Sequence, residues 1–394
     1  MRIEGFSTAA VAAGIKYPDR LDLGLIFSDE PVVTAGVFTT NQVIAAPLVL
    51  DMERLKQGRA QAILVNSGCA NACTGKQGMD TCIETGRMVA QALNIKEEMV
   101  QLSSTGVIGE QLNMAVFKEA IPRLIEGLGP DNFEDVAEAI MTTDTVKKTV
   151  YRTVDIGGKK VSFMAMAKGS GMIMPDMATM LGFVLTDAQI GFVELNSALQ
   201  SGVAESFNRI TVDGDTSTND MVLIMANGKA ANPWIEDRSS DEYLLFAESL
   251  ASILKELALM IVADGEGATK TITIRVTGAK EKEEALQIGR TIANSNLVKT
   301  AFFGEDANWG RIFAAMGRSG VKFNPQRVDI LFDDIMIVKG GLALGKEAEA
   351  RADTILKKRD ICVTVDLKEG SACEEVYTCD FSVDYVRINA DYRS

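Results

Sequence analysis

The sequence predicts a mixed α/β fold with helices packed on sheets, because strand-like and helix-like segments alternate along the whole chain. Residues 62–65 form a short apolar run that ends at Asn66-Ser67-Gly68, which is typical of a buried strand entering a turn. Between Asp80 and Leu93, apolar residues recur at helical spacing. No linker rich in proline, glycine or serine interrupts this alternation.

The same patterns place further elements along the chain. Strands are predicted over residues 161–167, 179–185, 271–276, 328–332, 361–367 and 376–381. Helices are predicted over 132–140, 187–207, 243–262 and 281–297, with Asn132 and Thr186-Asp187 as N-terminal caps.

Composition narrows the class of protein. The chain has 394 residues and is 47% hydrophobic, which is enough for a large core divided between two or more domains. A formal net charge of −14 without a long basic run argues against nucleic acid and anionic membranes as partners. No apolar stretch has the length of a membrane span, so we expect a cytoplasmic protein. Six cysteines without a Cys-x-x-Cys pair, and no histidine, predict neither a disulfide scaffold nor a metal site.

The most informative segment runs from Lys168 to Leu181. It places the small residue Ala178 directly before Thr179, after a loop rich in glycine and methionine. Histidine, the commonest side-chain base for a hydroxyl nucleophile, is absent from the sequence. Thr179 can still be activated if its own α-amine is the base, which requires that the Ala178-Thr179 peptide bond is cut. Taken alone, Thr179 also fits an ordinary strand position.

Self-cleavage would begin when the Thr179 hydroxyl attacks the carbonyl carbon of Ala178. Hydrolysis of the resulting ester leaves Thr179 at a new N-terminus. A terminal α-amine has a reference pKa of about 7.7–8.0, so near physiological pH part of it is neutral and can accept the hydroxyl proton. Ser104-Thr105-Gly106 offers hydrogen-bond donors for the oxyanion of the tetrahedral intermediate, although glycine turns of this kind are widespread.

Several segments resemble one protein family, in the family's order and from end to end. Besides the segment 168–181, they are Gly36-Val37-Phe38-Thr39-Thr40-Asn41, Asn66-Ser67-Gly68, Ser104-Thr105-Gly106-Val107-Ile108-Gly109, Asp264-Gly265-Glu266-Gly267-Ala268-Thr269-Lys270, Asn308-Trp309-Gly310-Arg311-Ile312 and Ile388-Asn389-Ala390-Asp391-Tyr392. On these segments the chain is similar to the ornithine acetyltransferases, also called the bifunctional glutamate N-acetyltransferases of arginine biosynthesis.

The resemblance implies an architecture of the N-terminal-nucleophile type, shared with the DmpA-type aminopeptidases. It implies an α chain of residues 1–178 and a β chain of residues 179–394, assembled as a heterotetramer of two α and two β chains. We place a C-terminal subdomain from about residue 275. The resemblance assigns the oxyanion hole to Thr105 and Gly106, and substrate contacts to Thr142, Lys168, Thr179, Glu266, Asn389 and Ser394.

The implied activity is transfer of acetyl from N2-acetylornithine to glutamate through an acetyl-threonine intermediate, which yields ornithine and N-acetylglutamate. No cofactor is implied, and the resemblance leaves open whether acetyl-CoA is also a donor. Lys168 suits a substrate carboxylate or acetyl oxygen, and Glu266 suits the terminal ammonium. Both also fit exposed loop charges, and Asn389 and Ser394 also fit a frayed terminus.

Two further patterns in the sequence do not require a ligand. Residues 213–220 are rich in oxygen atoms, but Ile224 stands where a calcium loop of the EF-hand type needs glutamate. We therefore interpret this cluster as a hydrogen-bonded turn near the site. Lys168 precedes its glycines, so the segment is not a phosphate-binding loop.

Two other functional classes stay open at this point. A hydrolase of the same fold, an aminopeptidase or amidohydrolase, would pass the acyl group to water. A protein that only binds small molecules would stay one full-length chain. Lys168, Glu266 and Asn389 suit an amino-acid substrate and favour transfer, although a fold alone does not decide the reaction.

Overall fold

The computed structural model describes residues 2–174 and 180–391. Its strands, in chain order, are β1 (Phe6–Val11), β2 (Leu23–Phe38), β3 (Arg59–Asn66), β4 (Val100–Ser104), β5 (Lys148–Ile156), β6 (Lys159–Lys168), β7 (Leu181–Thr186), β8 (Ile210–Thr211), β9 (Met221–Ala226), β10 (Thr271–Ala279), β11 (Asp329–Phe332), β12 (Ile335–Lys339), β13 (Leu342–Ala343), β14 (Asp360–Asp366) and β15 (Ala372–Cys379). Its helices are α1 (Ala46–Arg54), α2 (Gly75–Leu93), α3 (Met114–Glu126), α4 (Phe133–Ala139), α5 (Phe192–Glu205), α6 (Asp241–Ala263), α7 (Lys282–Ala293), α8 (Asn296–Phe303), α9 (Trp309–Gly317), α10 (Lys346–Ile355) and α11 (Val383–Ala390).

The predicted mixed α/β class is confirmed, and two of the predicted elements are wrong in detail. The helix predicted over 281–297 is two helices, α7 and α8, because Ser295 adopts an extended backbone between them. Thr186-Asp187 does not cap a helix. Thr186 ends β7, and the Asp187 carboxylate instead accepts the amide of Ser162 at 2.7 Å, so α5 begins only at Phe192.

The chain divides into two compact units. The first comprises residues 2–172, 180–208 and 215–261, and the second comprises 173–174, 209–214 and 262–391. The first unit therefore contains residues from both sides of the Ala178-Thr179 bond.

The sheet of the first unit has the order β4-β3-β2-β9-β7-β6-β5, and β1 also pairs with β2. β7 runs parallel to β9 and antiparallel to β6, so the start of β7 lies between the start of β9 and the end of β6. These three strands are nearly continuous apolar runs, as expected for strands buried on both faces. Their shared end carries the polar residues described in the next subsection.

The long strand β2 bends near its middle. β3 pairs with its first half, from Leu23 on, and β9 pairs with its second half, up to Phe38. As a straight strand its two ends would lie about 50 Å apart. Yet the side chain of Asn219, just before β9, donates to the carbonyl of Ser104. Ser104 pairs with Asn66 of β3, and Asn66 pairs in turn with Leu23 at the start of β2. The pairing is irregular over 27–32, where the bend lies, and the bend brings the two strand ends together.

A tightly packed apolar core holds the bent sheet of the first unit. Side chains from β2, β3, β6, β7, β9 and α4 fill it, including Ile26, Ile63, Phe133, Met164, Phe183 and Leu223. A second cluster packs α2 and α3 against β3 and β4, around Leu64, Val89, Leu102, Phe117 and Ile121. The polar strand ends are thereby fixed by rigid elements on both sides.

The second unit has its own sheet, with the order β13-β12-β11-β14-β10-β15-β8. β10 pairs parallel with β14 and antiparallel with β15, and α7 packs on β10 and β15. Its core comprises side chains of these elements, including Ile274, Ile288, Ile292, Phe332, Val363 and Val376. No helix within 2–174 and 180–391 combines the length and the apolar character needed to cross a membrane.

Candidate active site

Lys168 is the centre of the polar cluster in the first unit. It ends β6 and lies beside Leu181 at the start of β7. Its side chain is buried, and its Nζ donates to Thr142 Oγ1 at 2.8 Å and to Thr105 Oγ1 at 3.4 Å. The structure thus brings together three residues that the sequence analysis assigned to the site. Lys168 is only 3% exposed, so it is not a solvated loop charge.

Asp144, a residue that the sequence analysis did not single out, balances the charge of this cluster. It is buried, with Oδ2 3.9 Å from Lys168 Nζ and Oδ1 2.7 Å from Lys148 Nζ. Burial favours the neutral acid, yet the charges of Lys168 and Lys148 and the hydrogen bonds from Lys148 and the Gly169 amide outweigh it. They lower the pKa of Asp144 to about 2, so this carboxylate is ionised at neutral pH.

The same carboxylate also fixes the backbone around the cluster. Asp144 accepts the amide of Thr142 at 3.0 Å and the amide of Gly169 at 2.6 Å. Arg20 donates from its guanidinium to the carbonyl oxygens of Met141 and Thr142. A sequence signal for Asp144 existed in its spacing of four from Lys148, although such spacing usually indicates a helical pair and this segment is not helical.

Thr105 and Gly106 form a turn that is tightly packed against another turn of the first unit. The Thr105 amide donates to the carbonyl of Asn66 at 2.9 Å. Gly106 has a φ of +131°, and a Cβ atom there would lie 2.3 Å from the carbonyl carbon of Gly68. Only glycine fits this backbone, for reasons of both conformation and space. Among the described residues, the Gly106 amide has no hydrogen-bond acceptor, as the prediction of an oxyanion donor requires.

The loop before β9 joins this turn to the start of β7. Asn219 donates from Nδ2 to the carbonyls of Ala70 and Ser104, at 2.6 and 2.8 Å. Asp220 accepts the amide of Met180 on Oδ1 at 3.0 Å. Burial raises the pKa of Asp220 well above its usual range, although the hydrogen bond from Met180 opposes this. Residues 219 and 220, at the end of the segment 213–220, thus form hydrogen bonds beside the cluster.

Ala178, Thr179 and Ser394 lie outside the described residues. The described neighbour of Thr179 is Met180, whose amide Asp220 holds and which precedes β7. Within the described part of the chain, no group of three cysteine, aspartate or glutamate side chains could hold a metal ion.

Glu266 and Asn389, the remaining assigned residues, meet within the second unit. Asn389 donates from Nδ2 to Glu266 Oε2 at 2.7 Å, and Glu266 is buried in a turn between two glycines. Gly267 has a φ of +67°, and a Cβ atom there would lie 2.6 Å from the amide nitrogen of Tyr385. Asn389 belongs to the helix α11, so this part of the tail is ordered and is not frayed.

Comparisons with known proteins place the chain among arginine-biosynthesis proteins. A model of the ArgJ family matches residues 7–394. The arginine biosynthesis bifunctional protein ArgJ of Desulfotalea psychrophila is 63% identical and covers 100% of both chains. The protein of the same name from Geobacter sulfurreducens is 50% identical, again over 100% of both chains. A crystal structure of the arginine biosynthesis bifunctional protein argJ from Bacillus halodurans is 45% identical with a TM-score of 0.52. It covers 54% of this chain and 99% of that chain.

Proposed function

This chain belongs to the ArgJ family, and we propose that it transfers the acetyl group of N2-acetylornithine to glutamate through Thr179. The protein is a bifunctional enzyme of arginine biosynthesis and an acetyltransferase. Its full-length relatives carry this function, so the aminopeptidase alternative is not supported. A protein that only binds small molecules is not supported for the same reason.

The observation that carries the proposal is the buried cluster at the end of β6. Lys168 Nζ, Thr142 Oγ1 and Thr105 Oγ1 are within hydrogen-bond distance, beside the strand that begins two residues after Thr179. The buried Lys168 ammonium supplies positive charge for a substrate carboxylate or acetyl oxygen. The chain offers no imidazole, so the freed α-amine of Thr179 is the base we propose for acetyl transfer.

In the first step, the Thr179 hydroxyl gives its proton to the α-amine and attacks the acetyl carbonyl carbon. The Thr105 hydroxyl and the Gly106 amide stabilise the oxyanion, and ornithine leaves with the proton. In the second step, the amine of glutamate attacks the carbonyl carbon of the acetyl-threonine ester and loses a proton to the α-amine of Thr179. The bond from that carbon to Thr179 Oγ1 then breaks, Oγ1 takes the proton back, and N-acetylglutamate departs. We propose Glu266, Asn389 and Ser394 as further contacts of the amino-acid substrates, because carboxylate, amide and hydroxyl groups bind ammonium groups.

A cut between Ala178 and Thr179 is part of this proposal. The Bacillus halodurans structure supports it, because that chain is covered over 99% of its length and yet covers only 54% of this one. This share is close to the share that residues 179–394 occupy in the sequence. We further propose an assembly of two α and two β chains in the cytoplasm, without a cofactor and with acetyl-CoA as an additional acetyl donor to glutamate.

The experiment is a comparison of ornithine release with and without glutamate. Wild-type protein is incubated with N2-acetylornithine, and ornithine is measured over time. We expect that release beyond one equivalent per active site depends on glutamate. Thr179→Ala should abolish both the cut and the release, whereas Thr153→Ala, at an exposed position on β5, should change neither. Equal release without glutamate would show a hydrolase and refute the transferase.

A further inference from the structure

The helix α11 carries Asn389 but does not bury an apolar face. Of its eight residues, all of them described, none is buried, and Val383 and Val386 are 56% and 65% exposed. A helix of this length is not stable by itself in water. Yet Nδ2 of Asn389 donates to Oε2 of Glu266 at 2.7 Å. Polar and aromatic contacts must therefore set the position and the rotation of this helix.

The start of α11 packs on the turn that contains Glu266. Ser382 caps the helix, because its Oγ accepts the amides of Asp384 and Tyr385 at 3.2 and 3.4 Å. The backbone of Gly267 lies directly against this cap, and a Cβ atom at Gly267 would lie 2.6 Å from the amide nitrogen of Tyr385. The first turn of α11 is thus fixed against the Glu266 turn.

Tyr385 fixes the rotation of α11 through its ring and its hydroxyl. The ring stacks on the ring of Phe381, with centroids 4.5 Å apart and planes inclined by 20°. The hydroxyl donates to Oδ2 of Asp213 at 3.2 Å. Rotation of the helix about its axis would break both contacts.

Asp213 connects this hydroxyl to the sheet of the second unit. Its Oδ1 accepts the amide of Ile173 at 3.0 Å, and the carbonyl of Ile173 accepts the amide of Val212 at 2.8 Å. Val212 directly follows β8, which pairs with β15. The Asp213 carboxylate is therefore held in place within the second unit, and Tyr385 ties α11 to it.

Tyr385 and Asn389 lie on the same face of α11, because they are four residues apart. Nδ2 of Asn389 donates to the carbonyl of Tyr385 at 3.1 Å as well as to Glu266. The contacts that hold Tyr385 thereby also determine where the Asn389 amide points.

We propose that Tyr385 and Asp213 are positioning residues for the amino-acid substrate, an inference that rests on the proposed function. Through α11 they hold Asn389 beside Glu266, and these two groups bind the terminal ammonium of N2-acetylornithine. Tyr385 and Asp213 act through this pair and not on the acetyl group. Their loss should therefore weaken binding of the ammonium and leave the chemical step unchanged.

The test compares Tyr385→Phe with wild type on two acetyl donors, by the rate of N-acetylglutamate formation at saturating glutamate. The substitution keeps the ring and removes the hydroxyl. N2-acetylnorvaline has the carbon chain of N2-acetylornithine without the terminal ammonium. We expect KM for N2-acetylornithine to rise about tenfold with kcat nearly unchanged, because a hydrogen bond to a charged group is lost. For N2-acetylnorvaline, kcat/KM should stay within about twofold of wild type.

The second donor separates positioning from a general loss of structure. If kcat/KM falls by the same factor on both donors, the proposal is overturned, since damage to the fold does not depend on the ammonium. An unchanged KM for N2-acetylornithine would overturn it as well. If N2-acetylnorvaline reacts too slowly, its inhibition constant against N2-acetylornithine is compared instead.

Further variants control the substitution and test the link between the two residues. Tyr377→Phe is the matched control, because the Tyr377 hydroxyl also donates to a carboxylate of the second unit, that of Glu375, and it should keep the wild-type KM. Asp213→Ala should raise KM at least as much as Tyr385→Phe, and the double variant should match Asp213→Ala. Effects that multiply in the double variant would overturn the link.

The same kinetics distinguish failure of this inference from failure of the proposed function. Tyr385→Phe decides by itself if Asp213→Ala does not fold. Wild-type protein that releases no ornithine would refute the proposed function and this inference with it. Active wild type with an equally active Tyr385→Phe would refute only the positioning role.

Discussion

At the residue scale, Asp144 determines whether two lysines can be buried in the first unit. Lys148 and Lys168 are both almost fully buried, and both lie within 4 Å of this carboxylate. Removing one partner of a buried ion pair leaves an uncompensated charge, which costs more than the pair itself contributes. We therefore expect Asp144 to matter more for stability than surface carboxylates do.

The corresponding prediction concerns the pH dependence of stability. The pKa of Asp144 is about 2 in the folded chain, against a usual value of 3.8. Its stabilising contribution is therefore complete above pH 3.8 and is lost as the pH falls toward 2. Asp144→Asn should lower the free energy of unfolding by about 3–5 kcal/mol at pH 7, and the difference from wild type should narrow by about 2 kcal/mol between pH 4 and pH 2.

Urea unfolding followed by tryptophan fluorescence checks this prediction. The uncut Thr179→Ala chain keeps the unfolding independent of chain association, and Trp309→Phe leaves Trp234 as the reporter of the first unit. Asp19→Asn, at an exposed position, is the control and should leave stability unchanged. If the difference in unfolding free energy between Asp144→Asn and its parent does not change with pH, the low pKa of Asp144 in the folded chain is contradicted.

A second prediction at this scale concerns the charge of Lys168. Lys168→Met keeps most of the buried stem but removes the ammonium group from the two threonine hydroxyls. We expect kcat/KM for acetyl transfer to fall by about 100-fold or more, because an electrostatic contact to the reacting groups is lost. Lys160→Met, exposed on the same strand, should retain wild-type kcat/KM. Equal activity of the two variants would exclude Lys168 from the site.

Sequence alone assigned Lys168, Thr105, Gly106 and Thr142 to the candidate site, through the resemblance to the family. It did not single out Asp144 or Lys148, and it placed Asp220 only within the turn 213–220 near the site. These residues become partners only when strand ends meet: Asp220 contacts Met180 because β7 and β9 run parallel in register. Spacing along the chain does not contain that information.

At the element scale, the bend in β2 explains why these strand ends meet. Its two halves pair with different strands, and the ends of those strands then lie side by side. The turn at Gly106 must fit into this junction, directly against Gly68. The alternating pattern predicted most strands and helices correctly, but pairing partners, the bend and the break between α7 and α8 arise from tertiary packing, which local periodicity does not encode.

The prediction for this element compares two glycines of one turn. Gly106→Ala would place a Cβ atom 2.3 Å from backbone, whereas Gly109→Ala meets nothing within 4 Å, although both have positive φ. Positive φ costs a non-glycine residue about 1–3 kcal/mol. In urea unfolding, the free energy of unfolding of Gly109→Ala should fall only by this cost of positive φ. Gly106→Ala should lose more stability and also nearly all acetyl transfer, since the turn must shift. Similar stability for the two variants would contradict the packing described for Gly106.

At the scale of the whole molecule, the division of the chain into two compact units does not coincide with the proposed cut between Ala178 and Thr179. Residues from both sides of the Ala178-Thr179 bond belong to the first unit, where the whole of β7 is paired with the second half of β6. A cut would therefore not release the two parts of this sheet from each other. We predict that the two chains stay associated and separate only on denaturation. Elution as two species in size-exclusion chromatography under native conditions would contradict this.

The proposed assembly is checked on the same native material. Light scattering of the eluting protein should give the mass of two α and two β chains. A mass equal to one of each would replace the heterotetramer by a heterodimer. It would leave the chemistry at Thr179 unaffected, since the cluster around Lys168 lies within one unit.

The most direct measurement is the intact mass of active, purified protein under denaturing conditions, together with the N-terminal sequence of each species. We predict two chains, and the second should begin with Thr-Met-Leu-Gly. Active material that contains only full-length chain would contradict the account, because Thr179 would then have no free α-amine to serve as its base.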